Sequence, residues 1–346
     1  MMNPLKMGSL AAFREGVRRV NGAPLVLAGA IATTFLIGLP LSIALRGMIA
    51  THLGASLAAD TVAAGANYDW WQEFTAQATG LGTTFIPAII GFGAVLENIS
   101  NLVDNQPMAA TIAGAAAAWM VIWTFMSGGI LDRYARQRPT RTHGFFSACG
   151  TNFWRFLRLG VLALAFYAWL FGPVHEWIFE DFFPWATRDL TVERTGFAVR
   201  LACYLLFVAL LVTGNVMFDY ARVRIVVEDR RSAFGALLAG IRFVRRNRGT
   251  LYLYLLNAAV FVLLALLYAL ASPGAPGGGL SMWVTLAIGQ LYIVGRHYVK
   301  LLFYASETAF FQGALAHAGY TAAPPVVWPE SPAAEAIVNV DTTSVR

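Results

Sequence analysis

Apolar residues in this chain gather into six runs, 24–45, 108–131, 159–174, 196–218, 250–271 and 280–304, and the polar stretches between them alternate in character. Every second stretch is crowded with arginine. At a rise of about 1.5 Å per residue, a run of some twenty residues crosses a hydrocarbon core of roughly 30 Å, so the pattern predicts membrane-spanning helices. The run 159–174 is near the short limit unless the preceding helix continues into it.

Three basic segments carry a second, 3.6-residue period. In 8–20, Leu10, Phe13, Val17 and Val20 fall on one side while Arg14 and Arg18 lie one turn apart on another. In 145–158, Phe146, Cys149, Phe153 and Leu157 line up opposite the basic positions. In the third, Ser232 is placed to cap a helix whose Phe234, Leu237, Leu238, Ile241 and Val244 are apolar, with Arg231, Arg242, Arg245 and Arg246 on a separate stripe. Helices of this kind lie at the level of lipid headgroups.

The run 81–96 is short and broken by Pro87, Gly91 and Gly93, which predicts a re-entrant or interfacial segment. Reading it as a span would put the basic residues before 24 outside, against the positive-inside rule. With the six spans threaded so that the basic stretches face inward, 21 Lys and Arg lie on the cytoplasmic side and 4 outside. The expected fold is therefore all-α: a polytopic membrane domain over 1–320 with six transmembrane helices as three hairpins, each preceded by a basic amphipathic interfacial helix. A disordered, Pro- and Ala-rich cytoplasmic tail over 321–346 completes it. Both termini face the cytoplasm of a bacterial inner (plasma) membrane. The apolar run 24–45 exceeds a signal-peptide core and reads as an uncleaved helix, with cleavage near Ala58 as the alternative.

Composition agrees with a membrane protein. The chain is 58% hydrophobic and 13% charged, against roughly 25% charged in a soluble domain. Its two cysteines, Cys149 and Cys203, are too few for a disulfide framework and read as free thiols. Although the sequence pI is near 9.5, the charge sits beside spans rather than in an aromatic-studded groove, which argues against nucleic acid and for anionic membrane lipid. Of the 25 basic residues 23 are arginine, which suits phosphate recognition but would also follow from a GC-rich coding sequence.

Three junctions look alike: LDRYAR at 131–136, FDYAR at 218–222 and FYAS at 303–306. They suggest a threefold internal repeat, its third copy lacking Asp and Arg. Asp132 with Arg136 and Asp219 with Arg222 stand at helical spacing and predict junction ion pairs that fix where each span leaves the membrane; an ion or proton pathway is the alternative. A span ending in Asp, a short extended RIVVED segment and a small-residue helix with a basic end resemble uncharacterised multi-helix bacterial membrane families akin to the membrane domain of glycerophosphodiester phosphodiesterases. The resemblance covers 214–270 and, more faintly, 126–170. Since the phosphodiesterase catalytic domain is absent, it implies a six-helix bundle and no activity.

Catalytic chemistry is not legible. His175-Glu176 lacks the second histidine of HExxH, Ser127 stands outside any nucleophile elbow, and Glu228-Asp229 has no accompanying histidines. No metal, cofactor or catalytic residue is assigned. Asn257 and Gln290 fall at comparable depth in adjacent spans and are expected to bond to one another. Arg296 and Lys300, one turn apart, could join Arg242, Arg245 and Arg246 in a pocket for an anionic headgroup; generic snorkelling of charged side chains near a span end explains Arg296 and Lys300 and is the favoured reading. The expected function is a non-enzymatic scaffold, assembly or lipid-handling component that contacts anionic lipids and other membrane proteins. A secondary transporter is the alternative, drawn from the repeats and the broken segment around Pro87, and opposed by the lack of a mid-span acid. A membrane enzyme is third.

Overall fold

The computed structural model describes residues 7–54, 56–64, 67–85, 92–106, 110–271 and 279–315. Among these, all regular structure is helical: α1 Ser9–Asn21, α2 Pro24–Gly54, α3 Ala59–Ala64, α4 Tyr68–Gln77, α5 Phe92–Val103, α6 Ala110–Arg136, α7 Thr142–Trp169, α8 Phe183–Thr187, α9 Glu193–Val227, α10 Ala233–Arg246, α11 Gly249–Ala271 and α12 Leu280–Ala314. The tail 321–346, the turn 272–278 and residues 86–91 of the broken segment lie outside the described residues, so the readings made there have no structural counterpart.

Several helices outrun their expected ends. The amphipathic segment 145–158 and span 159–174 form one helix, α7, and the chain stays helical beyond it through two wide, π-type stretches, Leu170–Val174 and Trp177–Phe182, into α8. The aromatic and acidic stretch that follows the apolar run 159–174 is thus mostly helix. Pro173 sits in the first wide stretch, where the enlarged turn tolerates a residue without an N–H that would clash in an ordinary helix interior. Likewise α9 does not stop at 218, and no extended RIVVED segment follows. Val223 and Ile225 are buried there, and tertiary packing overrides the weak helix propensity of β-branched residues.

Five helical stretches are long and apolar enough to cross a membrane: Pro24–Gly54, Ala110–Arg136, Thr142–Thr187, Glu193–Val227 and Gly249–Ala271. The sixth expected span, within α12, is not among them, although the helix is 35 residues long. The physical reason lies in its position. α12 packs against α1, α2, α6, α9 and α11, and it turns His297, Lys300, Tyr304, Glu307 and Gln312 inward rather than toward lipid. From His297 onward protein encloses α12, which there can carry polar groups that a lipid-facing helix cannot, while Leu280, Trp283, Leu286 and Leu291 of its first half stay exposed.

The basic segments dock by their small residues. α1 runs along α12, the first half of α7 along α6, and α10 along α9. A Cβ on Gly16 would stand 2.6 Å from the Ser306 Cβ and 2.8 Å from its Cα. One on Gly240 would meet the Met217 carbonyl oxygen and the Ala221 nitrogen at 3.1 Å, and one on Gly129 the Phe145 carbonyl oxygen at 2.8 Å. Helices approach this closely only where small residues face each other. The apolar stripe predicted for α10 is therefore only partly its docking face. Ala233, Ala236, Gly240 and Phe243 are buried and Leu237 and Val244 pack against the core, whereas Phe234 is 60% exposed and Leu238 39%. Ser232 caps this helix by accepting the Gly235 N–H at 3.1 Å.

At the opposite end of the bundle, the segment after α5 is tied down by polar contacts. Tyr204 donates to Asp104 at 2.5 Å, Ser100 donates to the other Asp104 oxygen at 2.8 Å, and the Asn105 amide donates to the Phe171 carbonyl at 2.9 Å. The Tyr204 hydrogen bond is the main influence holding the Asp104 carboxyl below its ordinary pKa. A depressed carboxyl contributes stability that is present above its unfolded pKa and lost as pH falls through its folded one. Acidification through that range, or Tyr204→Phe at neutral pH, should raise hydrogen exchange in 97–106 while α9 stays protected; equal protection at both pH values would rule out the tether.

Candidate functional site

Two polar constellations stand out. The first is a pocket of about 460 Å³ between α9, α10 and the end of α12, lined by Arg224, Arg230, Arg242, Arg246 and Asn247. Its geometry follows from local sequence. The uninterrupted α9 carries Arg224 one turn beyond Tyr220, the Ser232 cap starts α10, and Arg242 and Arg246, four residues apart, share one face of that helix. Glu228 engages two of the four guanidinium groups, Arg224 at 3.4 Å and Arg230. Arg224 also lies over the rings of Phe243 and Phe311 at 5.9 and 5.2 Å, and its Nε is buried without a hydrogen-bond partner. Arg242 and Arg246 make no ion pair among the described residues. The pocket holds surplus positive charge and spare donors in fork geometry, a combination that takes phosphate or carboxylate oxygens.

Only two of the five residues expected at a headgroup pocket line it. Arg242 and Arg246 do; Arg245 is exposed and does not. Arg296 sits over the Tyr292 ring at 5.8 Å, and Lys300 places its Nζ 3.9 Å from the ring centres of both Trp119 and Trp123. Fourteen residues separate Lys300 from the end of α12 at Ala314, and the packing of α12 against α6 turns that side chain inward onto the two tryptophans. It therefore belongs to the interior.

A smaller pocket of about 290 Å³ is lined by Arg18, Arg19, Gly22, Arg133 and Tyr134. Its guanidinium groups are largely engaged. Arg133 donates to the Gly22 carbonyl at 3.0 Å, Arg19 to the Tyr134 carbonyl at 3.1 Å and to Gln312 at 2.9 Å, and Arg18 and Arg19 both pair with Glu15. These contacts staple α1 to α6 and α12.

The second constellation is inside the bundle, along one face of α12. His297 Nε2 lies 2.9 Å from the Thr34 hydroxyl, Trp123 donates to the Tyr304 hydroxyl at 3.1 Å, and Gln312 donates to the Ala135 carbonyl at 2.9 Å. From α9, Asp219 accepts from Arg222 at 2.6 Å, and Asp132 on α6 likewise accepts from Arg136 at 2.7 Å. The two pairs differ in setting. Arg136 is half exposed, at 52%, whereas α9 continues past Asp219 and leaves its pair within the packing, where protein surrounds Arg222 although 34% of its side chain stays accessible. Arg222 thus keeps part of its side chain accessible, and α9 continues past Asp219 to Val227. Asn257 donates to Ser306 at 2.9 Å rather than bonding Gln290.

Glu307 is the residue that reading the sequence missed. It is 0% exposed, and neither carboxylate oxygen has a hydrogen-bond partner. Ending the last span at 304, on the FYAS junction, placed it outside the bundle. The available signal was the spacing 297, 300, 304, 307, which puts His, Lys, Tyr and Glu on one face of a continuing helix. The bundle therefore does contain interior acids. Among the described residues no group of three or more His, Cys, Asp or Glu side chains could hold a metal ion. Comparison with protein-family models, curated proteins and solved structures finds no match.

Proposed function

We propose that the chain is a six-span membrane protein with both termini cytoplasmic in a bacterial inner membrane, non-enzymatic, whose arginine pocket holds the anionic headgroup of a lipid as part of a scaffold, assembly or lipid-handling role. The observation that carries the reading is the meeting of Arg242 and Arg246, neither ion-paired among the described residues, with the buried, underused guanidinium of Arg224 in one pocket. Phe234 and Leu238 on the same helix offer an apolar surface for acyl chains, and a basic patch beside an apolar one is the expected footprint of an interfacial helix.

In this reading α12 is the sixth span, made possible by four of the more apolar helices, α2, α6, α9 and α11, packed against it. The chain is three units of basic helix, outgoing span and returning span. Support comes from the buried Tyr134–Ala135, Tyr220–Ala221 and Tyr304–Ala305 pairs, each on a helix along which one basic segment lies. The arrangement is cyclic, because α1 lies on the last returning helix as α7 lies on α6 and α10 on α9.

Headgroup contacts near an anionic surface contribute about 1 kcal/mol per basic residue. The double variant Arg242→Gln/Arg246→Gln should therefore bind phosphatidylglycerol about 30-fold more weakly, measured by native mass spectrometry with phosphatidylcholine as the neutral reference. Competition by inorganic phosphate would identify the phosphate group as the recognised element. Unchanged phosphatidylglycerol retention in the double variant would overturn the proposal.

A further inference from the structure

A buried carboxylate with no hydrogen-bond donor is one of the most costly groups a protein interior can hold, at several kcal/mol for an uncompensated ion. Glu307 is such a group, and the side chains around it do not supply what it lacks. Asn257, on α11, spends its amide nitrogen on Ser306, the residue before Glu307, and leaves its own oxygen buried without a partner. Three orphaned acceptor oxygens, two from Glu307 and one from Asn257, therefore occur on facing helices joined by the Asn257–Ser306 hydrogen bond.

The charged and titratable groups facing Glu307 come from each packed helix. α9 brings Asp219, Tyr220 and Arg222, and α11 brings Tyr254. Arg222 is committed to Asp219 at 2.6 Å. On α12 itself Lys300 is two turns away, about 10 Å along the axis at about 1.5 Å per residue, with its ammonium between Trp119 and Trp123. α1 contributes Arg19 and Glu15, which pair with each other, Arg19 also reaching Gln312. α6 contributes Tyr134, whose hydroxyl is likewise without a partner, and α2 contributes Thr34 rather than an ionisable group at the contact. None of these neutralises Glu307 directly. The polar face they build runs from His297 to Gln312, about 22 Å at that rise, and beside it Arg222 keeps 34% of its side chain accessible.

We propose that Glu307 is the binding carboxylate of an interior monovalent-cation site, taking a proton or a sodium ion with Asn257 Oδ1 as the second oxygen. Intramembrane carboxylates with unspent acceptors mark ion or proton pathways, and the polar face gives this one a route along the bundle axis. Binding forms one O–H bond, or oxygen contacts to one sodium ion, and breaks no covalent bond in the protein. The site is separate from the arginine pocket, and either can fail without the other.

The test is infrared difference spectroscopy on the full chain in vesicles of phosphatidylethanolamine and phosphatidylglycerol. A pH jump should produce a carboxylic-acid band if a proton is bound. Exchange of potassium for sodium at fixed pH and ionic strength should remove that band, or shift the carboxylate band, if sodium is taken. Either response should be lost in Glu307→Gln and shifted in frequency in Glu307→Asp, which keeps the carboxyl should the glutamine variant fail to fold. A response unchanged in both variants, or no carboxyl response to pH or sodium, would overturn the site.

Discussion

Arg222→Met should destabilise the protein by about 3 kcal/mol, because breaking a buried ion pair at one partner leaves the other charge uncompensated at a cost of about 3–5 kcal/mol. The lower end is appropriate since 34% of the Arg222 side chain is accessible within the bundle. The substitution leaves Asp219 beside Glu307, two acids that act on each other with no cation paired to either. Asp219→Asn should cost less, since it removes one of those acids. The double variant Asp219→Asn/Arg222→Met should recover most of the loss, as replacing a whole buried pair is often close to neutral. The cycle is measured by thermal unfolding of the detergent-solubilised protein followed by loss of monodispersity. The exposed pair Asp132–Arg136, with Arg136 half accessible, serves as the comparison, and Arg136→Met should cost no more than about 1 kcal/mol. Equal losses for Arg222→Met and Arg136→Met would show that Asp219 and Arg222 are as solvated as the outer pair.

That contrast also explains which features a reader of the sequence can recover. The i,i+3 and i,i+4 spacings of the two pairs are local, and so are the cap at Ser232 and the long apolar runs. The setting of each pair is not local. α6 ends just past Asp132 at Arg136, and α9 continues to Val227, because Val223 and Ile225 find buried places against other helices. The same applies to α12. Hydropathy undervalues a helix that is shielded from lipid by its neighbours, so Glu307 sits beyond the apparent end of an apolar run although its 297, 300, 304, 307 spacing is plain. The arginine pocket was half legible: Arg242 and Arg246 share a stripe on one helix, but the contribution of Arg224 requires knowing that the chain between 219 and 227 stays helical. Lys300 shows the reverse error, a basic residue near a span end that turns inward onto two tryptophans instead of outward to headgroups.

Gly16→Leu should separate α1 from α12 and prevent recovery of a folded protein. A Cβ at position 16 would stand 2.8 Å from both the Ser306 Cα and its backbone nitrogen, contacts that rotamer changes cannot relieve. Overpacking typically costs about 1–3 kcal/mol where side chains can yield, and a clash with helix backbone belongs above that range. The helix shift it forces would also break the Arg19 bond to Gln312 and disturb Ser306, the acceptor of Asn257. Gly150→Ala on α7, where a Cβ would meet nothing within 4 Å, should instead be neutral or stabilising by up to about 1 kcal/mol, the ordinary gain of alanine over glycine in a helix. Ser306→Gly should only partly rescue Gly16→Ala, since it removes the 2.6 Å contact with the Ser306 Cβ but not the contacts with its backbone. Expression level and elution profile decide the matter. If Gly16→Leu yields a monodisperse protein with unaltered unfolding temperature, α1 does not dock on α12, and with it falls the proposed cyclic closure, a basic helix beside every returning span.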